Sequence, residues 1–194
     1  GGAGMVMMIE PIVKSIRCAK KSVAGSPCVI NLTPQGRPFK QSHAEELLSF
    51  DHLIFVSGRY EGIDERVGYY IDREYSVGDY VLTGGEIPAV LMIDVIVRNI
   101  PKVLGDPASL EKESHSDGML DHPHYTRPSV FEGNRVPEVL LSGNHREIKT
   151  WRHKQRLGRT RLRRPDLLEN FDLTEEEINL LEQFRQEEDE SVKD

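Results

Sequence analysis

A glycine pair between a short apolar run and a proline-containing helix constrains this chain more than any other stretch. Residues 76–88 read SVGDYVLTGGEIP. Within them we predict a short buried strand at Asp79–Thr83, a sharp turn at Gly84-Gly85, and the first turn of a helix at Pro88. Glycines at the exit of a strand let a small molecule approach the backbone, because no side chain intervenes. A plain strand–turn–helix corner would fit the same residues equally well.

A second loop of the same kind favours the binding interpretation. Gly58–Arg66 reads GRYEGIDER, is just as rich in glycine and charge, and follows an apolar run at Leu53–Ser57 that predicts a strand. Two such loops after two neighbouring strands are expected to face one another across a single crevice.

Predicted strands and helices alternate along the first half of the chain. The other predicted elements are a strand at Cys28–Leu32 and helices at Pro11–Val23, from a Ser42/Glu45 capping box to about Phe50, and at Ile87–Asn99. This alternation indicates an α/β fold with a mainly parallel sheet. The last of these helices is apolar throughout, so we expect it to be largely buried. Ligands of parallel sheets lie beyond the carboxyl ends of the strands, where we expect the loops Leu32–Gly36, Gly58–Glu61 and Val77–Gly85.

The second half of the chain is organised differently. Residues 106–128 show little periodicity and many polar residues, which predicts a linker that is functional or mobile. Beyond it, Asn144 with Glu147 and Thr174 with Glu177 form capping boxes for two helices, from His145 to about Leu157 and from Thr174 to about Gln186. These features predict a small helical domain.

Charge is distributed unevenly in that domain. The net charge of the whole chain is −7, yet residues 146–164 hold nine Lys or Arg and one acid, whereas residues 172–194 hold ten acids and two bases. A phosphate responds to the local field within about 8–10 Å rather than to the total. The basic stretch is therefore a candidate polyanion-binding surface, although a solvated helix face is the simpler alternative.

Other features bear on compartment and chain limits. Cys18 and Cys28 have no metal-type spacing, which fits a reducing compartment, and no apolar run approaches the length of a membrane span. We predict a soluble cytoplasmic protein. The chain starts at Gly1 without an initiator methionine, which suggests a fragment that lacks upstream residues.

Several common site patterns are missing from the sequence. We find no GxGxxG after a strand, no GxxxxGK[ST] and no GxSxG, which removes the main support for dinucleotide, P-loop and serine-nucleophile sites. A group of histidines and aspartates between residues 115 and 124 resembles metal ligands, but its spacing matches no zinc pattern. We therefore predict no metal-binding residues. The group comprises His115, Asp117, Asp121, His122 and His124.

Five segments together resemble the bacterial tRNA (guanine-N1)-methyltransferase family of the SPOUT class. They are Gly58–Arg66, Ser76–Pro88, HYTRP at 124–128, LSGNH at 141–145 and LRRP at 162–165. The resemblance runs in order from Gly1 to about Gln186. It implies a knotted S-adenosylmethionine-binding domain at residues 1–105 with its N-terminal part missing, a linker at 106–128, and a small all-α tRNA-binding domain at 129–194. The knot is a C-terminal trefoil knot of the first domain.

The resemblance also implies partners and site residues. It implies a homodimer with shared active sites, magnesium (on which the sequence is silent), and a substrate guanosine at tRNA position 37. The implied cofactor-binding residues lie in the three loops: Leu32, Thr33, Pro34, Gly58, Tyr60, Glu61, Val77, Gly78, Tyr80, Leu82, Gly84 and Gly85.

Two catalytic roles follow from the same resemblance. Guanine N1 carries a proton that must leave, and a carboxylate is a weak base unless the charge developing on O6 is stabilised. Arg98 matches the family's catalytic arginine, although an i,i+4 pair with Asp94 is an alternative role for it. The family's linker aspartate is replaced by Glu113 here, which adds a methylene, and Asp117 is the competing base.

Eight basic residues complete the predicted site. We expect them to contact tRNA phosphates; they are Lys149, Arg152, Lys154, Arg156, Arg159, Arg161, Arg163 and Arg164. Two other functions stay open on the sequence alone. One is a catalytically inactive RNA-binding module that keeps the fold. The other is a knotted methyltransferase that acts on another RNA position, such as a ribose hydroxyl.

Overall fold

The computed structural model describes residues 4–103, 113–169 and 171–191. These residues form two compact units, one within residues 1–107 (unit 1) and one within residues 108–194 (unit 2). The predicted domain boundary at residues 105 and 106, and the predicted linker residues 106–112, lie outside the described residues.

Unit 1 alternates helices and strands, as the sequence predicts. Its strands are parallel and lie in the order β2-β1-β3. The α/β class with a parallel sheet is therefore confirmed. The elements are α1 (Ile9–Lys21), β1 (Pro27–Pro38), α2 (Gln41–Leu47), β2 (His52–Ser57), a 3₁₀ helix (Glu65–Tyr70), β3 (Arg73–Ser76) and α3 (Glu86–Val97).

The central strand β1 supplies the core on both faces of the sheet, because successive side chains of a strand point to opposite faces. Ile30 packs in one cluster with Leu47 of α2 and Met92 of α3. Val29 packs in a second cluster with Ile16 of α1. Helices thus cover the sheet on both sides, which leaves its carboxyl edge as the place where loops gather.

The predicted strand at Asp79–Thr83 is wrong. The third strand is Arg73–Ser76, and the segment after it is an irregular loop. Pairing along this edge ends at Ser76, whose carbonyl oxygen accepts a hydrogen bond from the Phe39 N–H at 2.8 Å. Val81 is 84% exposed, so the apolar run that suggested a buried strand lies on the surface of the chain.

Helix α3 forms as predicted, but the expectation that it is largely buried is wrong for this chain. Its inner face buries Pro88, Ala89, Met92 and Ile96. Its outer face leaves five apolar side chains partly or mostly exposed: Ile87, Val90, Leu91, Ile93 and Val97. Contiguous apolar surface of this kind typically contacts another molecule.

One of the three predicted capping boxes is complete, and a second forms only its Asn144 half, because Asn144 N–H donates to Ser142 Oγ at 3.1 Å. Thr174 and Glu177 bond reciprocally: Thr174 N–H donates to Glu177 Oε2 at 2.9 Å, and Glu177 N–H donates to Thr174 Oγ1 at 3.3 Å. Asn144 Oδ1 accepts the N–H groups of the first helical turn that follows it. Helix α2 instead begins two residues early, with Lys40 at the N-cap, where Lys40 N–H donates to His43 Nδ1 at 3.0 Å, so the predicted Ser42 cap is wrong.

Unit 2 consists mainly of helices. Leu157, Leu180 and Leu181 form its core together with Met119, which precedes the helices in the chain. Residues 113–128 of the predicted linker therefore include a segment packed on this unit. The elements are β4 (Val130–Phe131), β5 (Asn134–Arg135), α4 (Glu138–Leu141), α5 (His145–Arg163), a 3₁₀ helix (Pro165–Leu168) and α6 (Glu175–Ser191).

Helices α5 and α6 approach closely at Gly158, and this contact gives a stability prediction. A Cβ at Gly158 would overlap the ring of Phe184, which is buried. We expect Gly158→Ala to lower the free energy of unfolding by about 1–3 kcal/mol, because overpacking outweighs the gain in helix propensity of about 1 kcal/mol. Chemical denaturation measures this. Gly68→Ala is the control, since a Cβ there meets nothing within 4 Å; equal effects of the two substitutions would contradict the prediction.

Candidate active site

The two glycine-rich loops that follow β2 and β3 touch one another. Gly85 N–H donates to the Gly58 carbonyl oxygen at 2.9 Å, and Arg59 forms an isolated antiparallel bridge with Gly84. A Cβ at Gly85 would lie 2.7 Å from Ser57 Cα and 3.1 Å from Gly58 N. Glycine is therefore required at position 85 by the close approach of two backbones.

The third predicted loop lies at the same edge of the sheet. Its residues belong to β1, whose pairing with β3 shifts register between Leu32 and Arg37. Such an irregularity lets extra residues bulge out of the ladder. A Cβ at Gly36 would lie 2.6 Å from the Tyr75 backbone, so this bulge presses on the strand that leads into the loop after Ser76. The structure thus brings the three loops to one edge.

A short N-terminal segment that the sequence analysis did not single out supports the Gly58–Arg66 loop. Met5 carbonyl oxygen accepts the Glu61 N–H at 3.0 Å, and Met7 N–H donates to the Gly62 carbonyl oxygen at 2.9 Å. The Glu61 side chain lies against Gly4. The two hydrogen bonds join backbone groups only, so no pattern of side chains in the sequence predicts them.

Tyr60 holds the left-handed backbone conformation in this loop, with φ 63°, and its side chain is 65% exposed. For an aromatic residue this conformation is uncommon and strained, and such residues cluster at ligand sites. Nearby, Arg59 and Glu86 form an ion pair at 2.7 Å. The pKa of Glu86 is lowered, first by a hydrogen bond from its own backbone N–H and then by Arg59. Both side chains are about half exposed, so the pair adds little stability.

The predicted catalytic residues belong to different units. Arg98 follows the last residue of α3 in unit 1, is half-buried, and donates its backbone N–H to the Asp94 carbonyl oxygen at 3.2 Å. Glu113 and Asp117 lie in unit 2. Asp117 forms an ion pair with Arg156 and accepts the Met119 N–H at 3.3 Å. Its carboxylate is therefore already engaged by a cation and a backbone donor.

The backbone around Glu113 is folded against α5. Glu113 carbonyl oxygen accepts the Ser116 hydroxyl at 2.7 Å, and Asp121 N–H donates to Ser114 Oγ at 2.9 Å. Leu120 N–H donates to Thr160 Oγ1 on α5 at 3.0 Å. The carboxylate-bearing segment is thus held by unit 2 through specific hydrogen bonds.

Two of the eight predicted phosphate-binding residues are turned inward, which corrects the sequence-based set. Lys154 is 9% exposed and pairs with Glu187 of the acidic helix α6. Arg156 pairs with Asp117 and donates to the Leu120 carbonyl oxygen at 3.3 Å. The sequence shows basic residues without their acidic partners, so it overstates the free positive surface. The others are exposed or half-buried: Lys149, Arg152, Arg159, Arg161, Arg163 and Arg164.

Three of the histidines and aspartates that the sequence analysis examined as metal ligands come together. Asp121, His122 and His124 place one ligand atom each within 4.8 Å of one another. Burial lowers the pKa of His122. Burial raises the pKa of Asp121, but hydrogen bonds from His124 and from the His122 N–H outweigh it and leave that pKa below its ordinary value. Magnesium prefers oxygen ligands, so this group with two imidazoles does not fit the magnesium that the resemblance implies.

A cavity of about 440 Å³ adjoins this group within unit 2. Its lining includes the imidazole of His122, the guanidinium groups of Arg127 and Arg152, and the apolar side chains of Leu140 and Ile148. A second cavity of about 500 Å³ is lined by Trp151, Arg146 and Thr150 among others. Basic and aromatic lining of this kind suits nucleotides. No helix in the described parts of the chain is both long enough and apolar enough to cross a membrane.

Comparisons with known proteins agree on one family. The model of the family described as tRNA (Guanine-1)-methyltransferase TrmD matches residues 1–170. Three relatives named tRNA (guanine-N(1)-)-methyltransferase are similar over 96% of this chain: those of Cronobacter sakazakii (56% identical, 73% of that protein covered), Pseudoalteromonas translucida (55%, 74%) and Dictyoglomus turgidum (54%, 75%). The chain therefore belongs to the tRNA (guanine-1)-methyltransferase TrmD family.

Proposed function

We propose that this chain transfers a methyl group from S-adenosylmethionine to guanine N1 in tRNA, at the guanosine of position 37. Family membership supports the reaction and the substrate class. The observation that carries the proposal is the contact between Gly85 and Gly58 at the carboxyl edge of the sheet, where ligands of parallel sheets bind. Because tRNA is a cytoplasmic substrate, we assign the protein to the cytoplasm.

The cofactor is held by the three loops in this proposal. The hydrogen bond from Gly85 N–H to the Gly58 carbonyl oxygen holds two of the loops together, so that the more exposed residues around them can surround an adenine. Leu82 and Tyr80, exposed in the chain alone, supply apolar surface for the same group. The remaining members of the set are Leu32, Thr33, Pro34, Tyr60, Glu61, Val77, Gly78 and Gly84. When bound, S-adenosylmethionine supplies a methyl group that its sulfonium makes reactive.

A substitution at Gly85 tests this cofactor site. Gly85 has φ −80°, so alanine causes no backbone strain there, and its effect is purely the overlap with the Ser57 and Gly58 backbones. We expect Gly85→Ala to weaken S-adenosylmethionine binding at least about tenfold, or about 1.4 kcal/mol, as measured by calorimetry. Gly68→Ala should bind normally. Normal binding by Gly85→Ala would remove this loop from the site.

The chain's own residues handle the proton and the charge. Glu113 accepts the guanine N1 proton on a carboxylate oxygen, so that the N1 electron pair is free to take the methyl group. Arg98 stabilises the negative charge that develops on O6 at that moment. Because the donor is already reactive, alignment of the two reactants supplies much of the acceleration, up to about 7–11 kcal/mol. We prefer Glu113 to Asp117, because Glu113 with Ser114 occupies the place of the family's linker aspartate.

We further propose a homodimer whose active sites are shared between subunits. The support is the outer face of α3, where Ile87 and Val90 are each 66% exposed. Apolar side chains so exposed are costly unless a partner covers them. Sedimentation velocity of the purified chain tests this; a monomer at all concentrations would exclude it. The trefoil knot within residues 1–105, the linker 106–128 and the tRNA-binding role of residues 129–194 are proposed on the family resemblance. That last region is mainly helical but not all-α, because β4 and β5 pair within it.

The tRNA is proposed to lie on exposed basic residues of unit 2, namely Lys149, Arg152, Arg159, Arg161, Arg163 and Arg164. Phosphate contacts supply affinity and a steep salt dependence, while the selection of guanosine belongs to the pocket. Lys154 and Arg156 are left out because their side chains are almost buried against carboxylates. Arg164 also pairs with a carboxylate, that of Asp166, but its side chain is 47% exposed.

The deciding experiment combines the purified chain, labelled S-adenosylmethionine and unmodified tRNA with guanosine at position 37. We expect label in 1-methylguanosine when the nucleosides are analysed by mass spectrometry. A tRNA with adenosine at that position is the control and should stay unlabelled. Binding of tRNA without any transfer would favour the inactive RNA-binding module. Label in a ribose, or at another position, would favour the other methyltransferase activity.

A further inference from the structure

A compact group of three potential ligands lies beside the carboxylate-bearing segment of unit 2. We propose that Asp121, His122 and His124 bind a divalent transition-metal ion, for which Zn²⁺ is the best match to the ligand set. Two imidazoles and one carboxylate, with a fourth position open, form a set that zinc enzymes use. The proposal is independent of methyl transfer, because it concerns metal binding alone.

The hydrogen bonding of His122 prepares its ring for a metal. Nδ1 lies 3.2 Å from the Pro123 carbonyl oxygen. A carbonyl oxygen only accepts, so Nδ1 carries the proton and Nε2 carries a lone pair. A ring nitrogen held in this way by a backbone carbonyl is the usual outer-shell arrangement of metal-binding histidines.

The lone pair of His122 faces a second electron-pair donor. His122 Nε2 lies 3.8 Å from Asp121 Oδ1, and in the tautomer above no proton lies between them. Two ligands of a tetrahedral ion, with bonds of about 2.0–2.1 Å, are about 3.3 Å apart. The observed separation is close to that value. Asp121 Oδ1 also accepts the His122 N–H at 2.6 Å, so the carboxylate is held in place and a bridging cation would require only a small movement.

His124 supplies the third ligand from the solvent side. Its Nε2 donates to Asp121 Oδ2 at 2.9 Å, and its ring centroid lies 4.6 Å from that of His122. The side chain is 72% exposed, so its Nε2 proton can pass to water or to Nδ1 when a metal takes its place. This exposed side also leaves room for a water or an anionic oxygen at the fourth position.

The ion would fasten a specific part of the chain. Asp121 N–H donates to Ser114 Oγ at 2.9 Å, and Glu113 directly precedes Ser114. Metal at Asp121 thus stiffens the turn that holds the proposed base, within unit 2 alone. Two nitrogen ligands also separate this site from magnesium, which prefers oxygen atoms in octahedral geometry.

Titration of the tag-free, chelator-treated chain with Zn²⁺ tests the proposal by calorimetry. We expect one site per chain, with no displacement by excess Mg²⁺. His124→Gln and Asp121→Asn should each weaken Zn²⁺ binding at least about tenfold, since even outer-shell changes cost about 10–100-fold. With Co²⁺ in place of Zn²⁺, the wild type should show the visible absorption of a tetrahedral site, and both variants should lose it.

The controls separate metal binding from folding. His124 is largely exposed, so its replacement should leave the circular dichroism spectrum and Tm of the metal-free chain unchanged. His52→Gln, an exposed histidine of unit 1, should bind Zn²⁺ like the wild type. The proposal is overturned if the wild type binds no stoichiometric Zn²⁺, or if His124→Gln and Asp121→Asn bind it unchanged. Equal loss in His52→Gln would do the same, because it would point to scattered surface histidines.

Discussion

Glu113→Gln should lower the rate of a single turnover by a factor of about 10²–10⁴, the usual contribution of a general base. The amide keeps the size and shape of the side chain but cannot take the guanine N1 proton at neutral pH. Backbone contacts of residue 113, such as its carbonyl with the Ser116 hydroxyl, do not involve the carboxylate and should persist. Rapid-quench measurement with saturating S-adenosylmethionine and tRNA isolates the chemical step from product release.

Two companion substitutions make that result interpretable. Asp117→Asn should lower the single-turnover rate much less, because Arg156 and the Met119 N–H already engage that carboxylate. Glu113→Asp restores the residue of the family pattern and should retain most of the rate if reach is not limiting. If Asp117→Asn is the slower variant, the base is Asp117 and the assignment of Glu113 is wrong.

The fold class was predictable because local patterns agree with the tertiary structure in unit 1. The apolar run 53–57 is part of β2, and the predicted helix at Pro11–Val23 corresponds to α1, Ile9–Lys21. Capping by Thr174 and Glu177 is equally local and was found as predicted. Interactions between residues that are close in sequence can be predicted, because both partners are visible within one short segment.

The wrong strand at Asp79–Thr83 and the wrong burial of α3 share a physical cause: burial depends on groups that are distant in sequence. Tyr80, Val81 and Leu82 have the composition of a strand, yet all three are exposed and unpaired with β1. Whether an apolar run is buried depends on what covers it, and a surface prepared for a ligand or a second subunit has the same composition as a core strand. The apolar outer face of α3 was predicted to be buried for the same reason, although it is exposed in this chain.

Part of the predicted site could be recognised in the sequence from its residue types. Glycines mark positions where backbones approach, and Gly85 against Ser57 is such a position. Cations are visible in a sequence but their partners are not: Glu187 lies 33 residues from Lys154, and Asp117 lies 39 residues from Arg156. The grouping of Asp121 with His124 was visible as a cluster, but its geometry depends on rotamers and on the Pro123 carbonyl.

Arg98→Ala should lower the single-turnover rate by a factor of about 10²–10³, the cost of removing one donor aimed at a developing oxyanion. S-adenosylmethionine affinity should stay within about threefold of the wild type, because Arg98 follows α3 and belongs to none of the three loops. A positive charge at a helix C-terminus contributes about 0.3–1 kcal/mol, so a small fall in Tm is expected as well. Arg98→Lys keeps the charge without the planar guanidinium and should recover part of the rate and all of the stability.

A loss of S-adenosylmethionine affinity in parallel with the rate would mean that Arg98 binds the methyl donor rather than stabilising the charge on guanine O6. A fall in Tm large enough to explain the rate would instead make Arg98 a residue of the fold.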